Sequence, residues 1–250
     1  MSTTPAEKLL QSLGIETAKE IDLEAIVWHV GAIVKRRPLD SCEALIVGNA
    51  RNAVISVNST SIPSRQRFSI AHELGHWLHH RGRNLICSGR DVDNPGSPLN
   101  PEKQADAFAS DLILPNYILG DEVRKRVKRL NLKAVREIAE SFEASATATL
   151  IKIVSLDAFP IIAVCHGQNG RKWFRRSPSV QGFWFPRQEL DPESPAFDLL
   201  FASGREYPIP QKIGADAWFD FRGADHHEIQ EQSFLLPNNE VLTLLVLPEC

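Results

Sequence analysis

The segment from Arg65 to about His80 constrains the fold most, because its apolar residues fit a helix. Ile70, Ala71, Leu74, Trp77 and Leu78 recur at helical spacing and form one stripe that seeks a core. Ser64 is placed to cap its start, and Gly82 lies near its end. Away from the stripe stand His72, Glu73 and His76, in the pattern H-E-x-x-H. Histidines four apart project from one helical face, so both imidazoles reach a single zinc ion. Glu73 is three residues before His76, shares that side, and lies within reach of a water on the metal.

A second helix is expected from Pro101 to Leu114, with Asn100 as its cap, Pro101 as its first residue and Pro115 ending it. Its apolar stripe is Ala105, Phe108, Ala109 and Leu112, and counting back three residues places Glu102 on the same face. A carboxylate buried there is costly unless a cation compensates it. Two histidines and a glutamate from a second helix form a catalytic zinc set that leaves the fourth position for water. The plainer reading of Glu102 is an acid that favours the positive end of its helix. Asp106, one turn on, is the rival third ligand; the preferred role for it is to accept the free ring N–H of a ligand histidine. His79 and His80 read as a polar helix end rather than as ligands.

Elsewhere the signals are coarser. Helical patterns cover Glu7–Leu13 and Leu23–Val34, the latter starting after Asp22 as its cap. Ala44–Val47 and Ala53–Val57 read as strands, and Ser88–Asn100 as a loop. Two or three helices fill 121–155, and strand patterns take over beyond Phe159-Pro160. Ile161–Cys165 and Lys172–Phe174 flank Asn169-Gly170, a hairpin signal. Gln232–Leu236 and Val241–Leu247 flank Pro237-Asn238-Asn239-Glu240. The expected organisation is α+β: a mainly helical domain with a short sheet over residues 1–156, then a smaller α+β domain over 157–250. The formal charge of −3 gives no whole-chain reason to bind nucleic acid or membrane. Four scattered cysteines suggest neither disulfides nor a cysteine zinc site, and no signal peptide or membrane-length apolar run is seen, so the expected location is cytoplasmic.

Ile55-Ser56-Val57-Asn58, Arg65–His76, Glu102-x-x-Ala105-x-x-Phe108-Ala109 and Leu112-Ile113-Leu114-Pro115 together resemble the ImmA/IrrE metallo-endopeptidases. The resemblance spans roughly residues 20–155. It implies a zincin-like fold in which His72, His76 and Glu102 hold the metal and Glu73 acts as the base. The implied ion is Zn2+, with Mn2+ the alternative. It also implies hydrolysis of a peptide bond by a metal-activated water, in site-specific cleavage of a helix-turn-helix repressor after stress or phage-related signals. The C-terminal domain falls outside the resemblance and is assigned a regulatory or substrate-docking role.

Several weaker features complete the reading. An extended substrate is expected to pair with the edge of the Ala53–Val57 strand, and Tyr117 is a candidate oxyanion donor by residue type. Seven basic side chains fall within 124–136, and Ala134–Phe142, Glu143-Ala144-Ser145 and Ala146–Val154 resemble a helix-turn-helix near 132–154. The preferred reading is a solvated charged face, with direct DNA contact left open. Asp225-His226-His227-Glu228 reads as a turn rather than a second metal site. Gly182-Phe183-Trp184-Phe185, Trp173 and Trp218 read as core packing. The competing function is a DNA-binding or sensor protein that uses a protease fold as scaffold.

Overall fold

The computed structural model describes residues 3–79, 100–126, 130–202 and 204–248. The chain is α+β and falls into two compact units that interleave in sequence. One comprises Met1–Leu119 with Ala139–Ser145; the other comprises Gly120–Ile138 with Ala146–Cys250. Sequence alone suggests a single boundary near residue 157.

The first unit opens with α1 (Pro5–Ser12), whose capping box is reciprocal: the Glu7 amide donates to Thr4 Oγ1 and the Thr4 amide to Glu7 Oε2. The other Glu7 oxygen accepts the Asn116 amide at 2.7 Å, so this buried acid has donors on both oxygens. α2 (Leu23–His29) is capped by Asp22 as expected, but it does not reach Val34. Gly31 adopts φ +98°, a conformation that favours glycine, and the chain turns there into β1 (Ala32–Arg37). The apolar spacing of Ile33 and Val34 is therefore strand spacing, not helix.

β1 pairs in parallel with β3 (Ala53–Asn58), and β2 (Ala44–Gly48) pairs antiparallel with the other side of β3. The order is β1-β3-β2, with Val34, Ile55 and Ile46 in one row across the sheet. This row lies on the buried face, and α3 (Pro63–His79) packs over β2 and β3. Ile70, Leu74 and Trp77 are buried there, and the Trp77 indole N–H donates to the Asn49 carbonyl. α3 begins one residue before Ser64, the expected cap, and its last expected residue, His80, lies outside the described residues, as do Gly82 and most of the Ser88–Asn100 loop. α4 (Pro101–Ile113) follows, and α3 and α4 pack closely at Gly75.

α5 (Asn116–Arg126), α6 (Leu132–Ser141) and α7 (Ala146–Leu156) come next, and the turn between α6 and α7 passes through Glu143 at φ +53°. In the second unit, β4 (Ile161–Gly167) and β5 (Gly170–Arg176) form the expected hairpin, with Gly170 at φ +100°. Sequence patterns do not reveal α8 (Pro195–Phe201) or β6 (Gln211–Gly214). β7 (Glu228–Leu235) and β8 (Val241–Val246) complete a five-stranded antiparallel sheet of order β5-β4-β8-β7-β6. One face carries Ile162, Val164, Trp184, Trp218 and Leu245 in a common core. Within this unit Glu231 is fully buried, accepting from Ser194 Oγ, the Ala196 amide, Trp218 Nε1 and Ser233 Oγ at 2.7–3.1 Å. These donors offset the cost of a charge in the core, although burial still raises the carboxyl pKa above its ordinary value.

Candidate metal centre

His72 and His76 face α4 because the opposite side of α3 is committed to the sheet. α4 approaches closely because residue 75 has no side chain. A Cβ there would lie 3.2 Å from the Ala105 Cα and from the Phe108 Cβ and Cδ1. Glu102 lies three residues before Ala105, in the first turn of α4, where Asn100 Oδ1 accepts its amide. The approach brings its carboxylate to both rings. Glu102 Oε2 stands 3.3 Å from His72 Nε2, and Oε1 stands 3.3 Å from His76 Nε2. The two Nε2 atoms are 3.0 Å apart.

Tetrahedral ligands at about 2.0–2.1 Å from zinc stand about 3.3 Å from one another, which the three pairs approach. Two imidazole nitrogens directed at each other and at a carboxylate fit a shared cation, so the residues present fit the ion the motif implies. Among the described residues these three form the sole His/Cys/Asp/Glu group with metal-ligating spacing. The Asp225–Glu228 stretch makes no such group.

The reason given for Glu102 from sequence requires correction. It is not buried: its side chain is 48% exposed, because the first turn of α4 extends past the packed part of the helix. It meets the histidines from the rim, and no desolvation cost calls for a cation. Asp106 lies where its preferred role requires, with Oδ1 2.9 Å from His72 Nδ1. An N–H on Nδ1 donating to Asp106 leaves the Nε2 lone pair directed at His76 and Glu102. Burial opposes a charge on His72, but Asp106, with Glu73 and Glu102, outweighs it and raises the pKa above the ordinary value. Glu73 is buried, and its Oε2 has no hydrogen-bond partner among the described residues. Burial pushes its carboxyl up to about 7, with His72 opposing and the Glu102 charge adding.

Two further expectations change. The Ala53–Val57 strand has no free edge, because β1 and β2 occupy both its sides; among the described residues the edge strands of this sheet are β1 and β2. The Tyr117 hydroxyl donates to the Ile15 carbonyl at 2.6 Å and is committed to holding the N-terminal segment. In the helix-turn-helix-like region, α7 packs on β4 and β5 within the second unit and buries Thr149, Leu150, Ile153 and Val154. A helix packed so leaves little surface to read bases. Residues 127–129 of the basic stretch lie outside the described residues, as does the side chain of Arg126. Cys42 and Cys165 are free thiols.

The sequence profile of the IrrE N-terminal-like domain, peptidase family M78, matches residues 31–154. Residues 31–154, just under half of the chain, are therefore of the ImmA/IrrE type. The radiation response metalloprotease IrrE of Deinococcus radiodurans is 30% identical over 115 residues, 45% of this chain and 34% of that protein. Its counterpart in Deinococcus deserti is 32% identical over 115 residues, 45% of this chain and 40% of the relative. The match thus spans between a third and two-fifths of these IrrE proteins. A Mycobacterium tuberculosis transcriptional regulator shares the fold at a TM-score of 0.61 and 13% identity, over 97% of this chain and 74% of that one. No described helix is long and apolar enough to cross a membrane.

Proposed function

We propose that this chain is a zinc-dependent endopeptidase with a zincin-like catalytic unit, in which His72, His76 and Glu102 hold the ion and Glu73 is the general base. The observation that carries this reading is the convergence of three ligand atoms from two helices within 3.0–3.3 Å of one another. Zinc bound there supplies Lewis acidity toward a scissile carbonyl, and Mn2+ is the alternative ion. Glu73 accepts the proton of the attacking water and delivers it to the leaving amine. Its buried, unpartnered Oε2 supports that role, since a carboxylate without competing donors is a stronger acceptor. Asp106 fixes the tautomer and orientation of His72. The exposed edge of β2 offers backbone groups for an extended substrate segment.

By family, the substrate we infer is a helix-turn-helix repressor cleaved in a stress or phage-related response, which places the chain in the cytoplasm. In this reading the second unit governs what is cut or when, and supplies no group to the reaction. The rival function, a DNA-binding regulator on a protease scaffold, is disfavoured by the burial of α7.

The test combines metal analysis with cleavage of a repressor encoded by a neighbouring gene. Wild type should carry one zinc per chain, and His72→Ala, His76→Ala and Glu102→Ala should each lose most of it. Glu73→Gln should keep the metal and bind the repressor while cleavage falls about 10²–10⁴-fold. Near wild-type cleavage by Glu73→Gln would make Glu73 a structural residue and remove the mechanism.

A further inference from the structure

The chain has an excess of acids overall, yet residues 170–176, Gly-Arg-Lys-Trp-Phe-Arg-Arg, hold four cations and no acid. This segment is β5, an edge strand of the second sheet. Lys172 is neutralised by Glu240. The other three have no carboxylate within ion-pair distance among the described residues. Arg171 donates to the Arg187 carbonyl at 3.4 Å, Arg175 to the Phe174 carbonyl at 2.9 Å and Arg176 to the Gly182 carbonyl at 3.2 Å. Guanidinium groups anchored on carbonyls keep their full charge and retain donors for an anion.

Aromatic rings hold the same groups in place. The Arg171 guanidinium lies 5.0 Å from the Phe174 ring centroid and 4.5 Å from that of Phe185, and Arg175 lies 6.0 Å from Trp173. Phe185 and Phe183 are 53% and 48% exposed although each is packed edge-on against another ring, so their positions are fixed while faces remain open. An acidic peptide has use for the charges but none for the open rings. Unpaired bases stack on such rings while their phosphates meet the cations. A cavity beside Arg171 and Phe185 is lined by Glu189 and Asp220 and by Asp191, which pairs with Arg187, so phosphate is less favoured at that end. From Arg171 the strand runs toward Arg175 and Arg176, and the acid it passes, Glu240, is paired with Lys172.

We propose that the rim formed by β5 and Gly182–Phe185 binds single-stranded nucleic acid, independently of the metal centre. The experiment is fluorescence anisotropy of the full chain with labelled 15-mers of oligo-dT and oligo-U. A 15-base-pair duplex and a poly-glutamate peptide serve as comparators. Single strands should bind at low salt, more tightly than duplex or peptide. The slope of log affinity on log salt should be about −2, from three guanidiniums at about 0.7 each. Arg175→Gln and Arg176→Gln alter exposed side chains outside the core; each should flatten the slope by about 0.7. Phe183→Ala and Phe185→Ala should weaken binding about 10-fold with the slope unchanged. Lys172→Gln combined with Glu240→Gln, which removes an ion pair without changing net charge, should change least. Circular dichroism establishes that each variant folds, and Arg175→Glu with Arg176→Glu repeats the test if a phenylalanine variant does not. Absence of binding at low salt, equal binding of poly-glutamate, or indifference to both phenylalanine substitutions overturns the proposal.

Discussion

Gly75 sets the distance between the two helices that carry the proposed metal ligands, and substituting it separates two opposing effects. Alanine in mid-helix is favoured over glycine by about 1 kcal/mol. Against that, the added Cβ meets three atoms of α4 at 3.2 Å, where carbon contacts prefer about 3.5–4.0 Å. Two of those atoms belong to the helix body (Ala105 Cα and Phe108 Cβ) and cannot swing aside. The helices must part by a few tenths of an ångström, an overpacking cost of about 1–3 kcal/mol. Gly75→Ala should therefore be destabilising by about 1 kcal/mol net, and Gly75→Val by about 3 kcal/mol. The effect on the site is larger than the effect on stability. Glu102 is carried by α4, and metal ligands tolerate displacements of only about 0.2 Å. Zinc affinity should fall about 10-fold in Gly75→Ala and further in Gly75→Val. Urea denaturation of the chelator-treated protein measures the first quantity, and competition with a chromophoric chelator the second. Gly120→Ala in α5 is the control: its Cβ meets only the Arg124 guanidinium, at 3.5 Å or beyond, so it should stabilise by about 0.5–1 kcal/mol. A Gly75→Ala protein more stable than wild type with unchanged zinc affinity would show that propensity outweighs the close approach, refuting this account.

Removing the acceptor in Asp106→Ala should lower zinc affinity about 10–100-fold while leaving the ion bindable; if Glu102→Ala retains zinc and Asp106→Ala loses it, the two carboxylates exchange roles. His166 in β4 is buried with neither ring nitrogen hydrogen-bonded among the described residues, and burial holds its pKa down to about 4, outweighing the nearby Arg187 carbonyl. Above pH 6.5 it is neutral folded or unfolded and pH has no effect through it. As pH falls from 6.5 toward 4 the unfolded chain takes up a proton that the folded chain refuses, so stability declines. The full gap corresponds to about 3 kcal/mol. Urea denaturation of wild type and His166→Leu at pH 7 and pH 4.5 should show the variant gaining about 2–3 kcal/mol relative to wild type at the lower pH; equal slopes would count against a buried neutral ring.

What the sequence makes legible is local. His72, Glu73 and His76 can be placed on one side of a helix because helical spacing alone fixes their relative directions. Glu102 and Asp106 can be placed near them because the α4 stripe shows which side of that helix packs. Asn169-Gly170 announces its hairpin because its turn depends on two adjacent residues. The failures are non-local. Leu23–Val34 looks helical until Gly31, and Ala32–Arg37 becomes a strand by parallel pairing with a segment some twenty residues away. That pairing makes β3 the central strand, so it has no edge to offer a substrate, and β1 and β2 are the edge strands instead. Glu231 cannot be read as a core residue, because its donors come from Ser194, Ala196, Trp218 and Ser233, at no regular spacing. Burial is the wrong physical reason for making Glu102 a ligand. Its position three residues before Ala105 suggests burial, whereas the helix end leaves it at the rim. In the proposed site the same placement has a consequence: a half-exposed carboxylate is still hydrated and must give up water to reach the ion, whereas the ring of His76 is already buried. On this argument Glu102 joins the ion after the two histidines, and its loss should speed metal dissociation more than it slows association, a difference that stopped-flow chelation of Glu102→Ala would resolve.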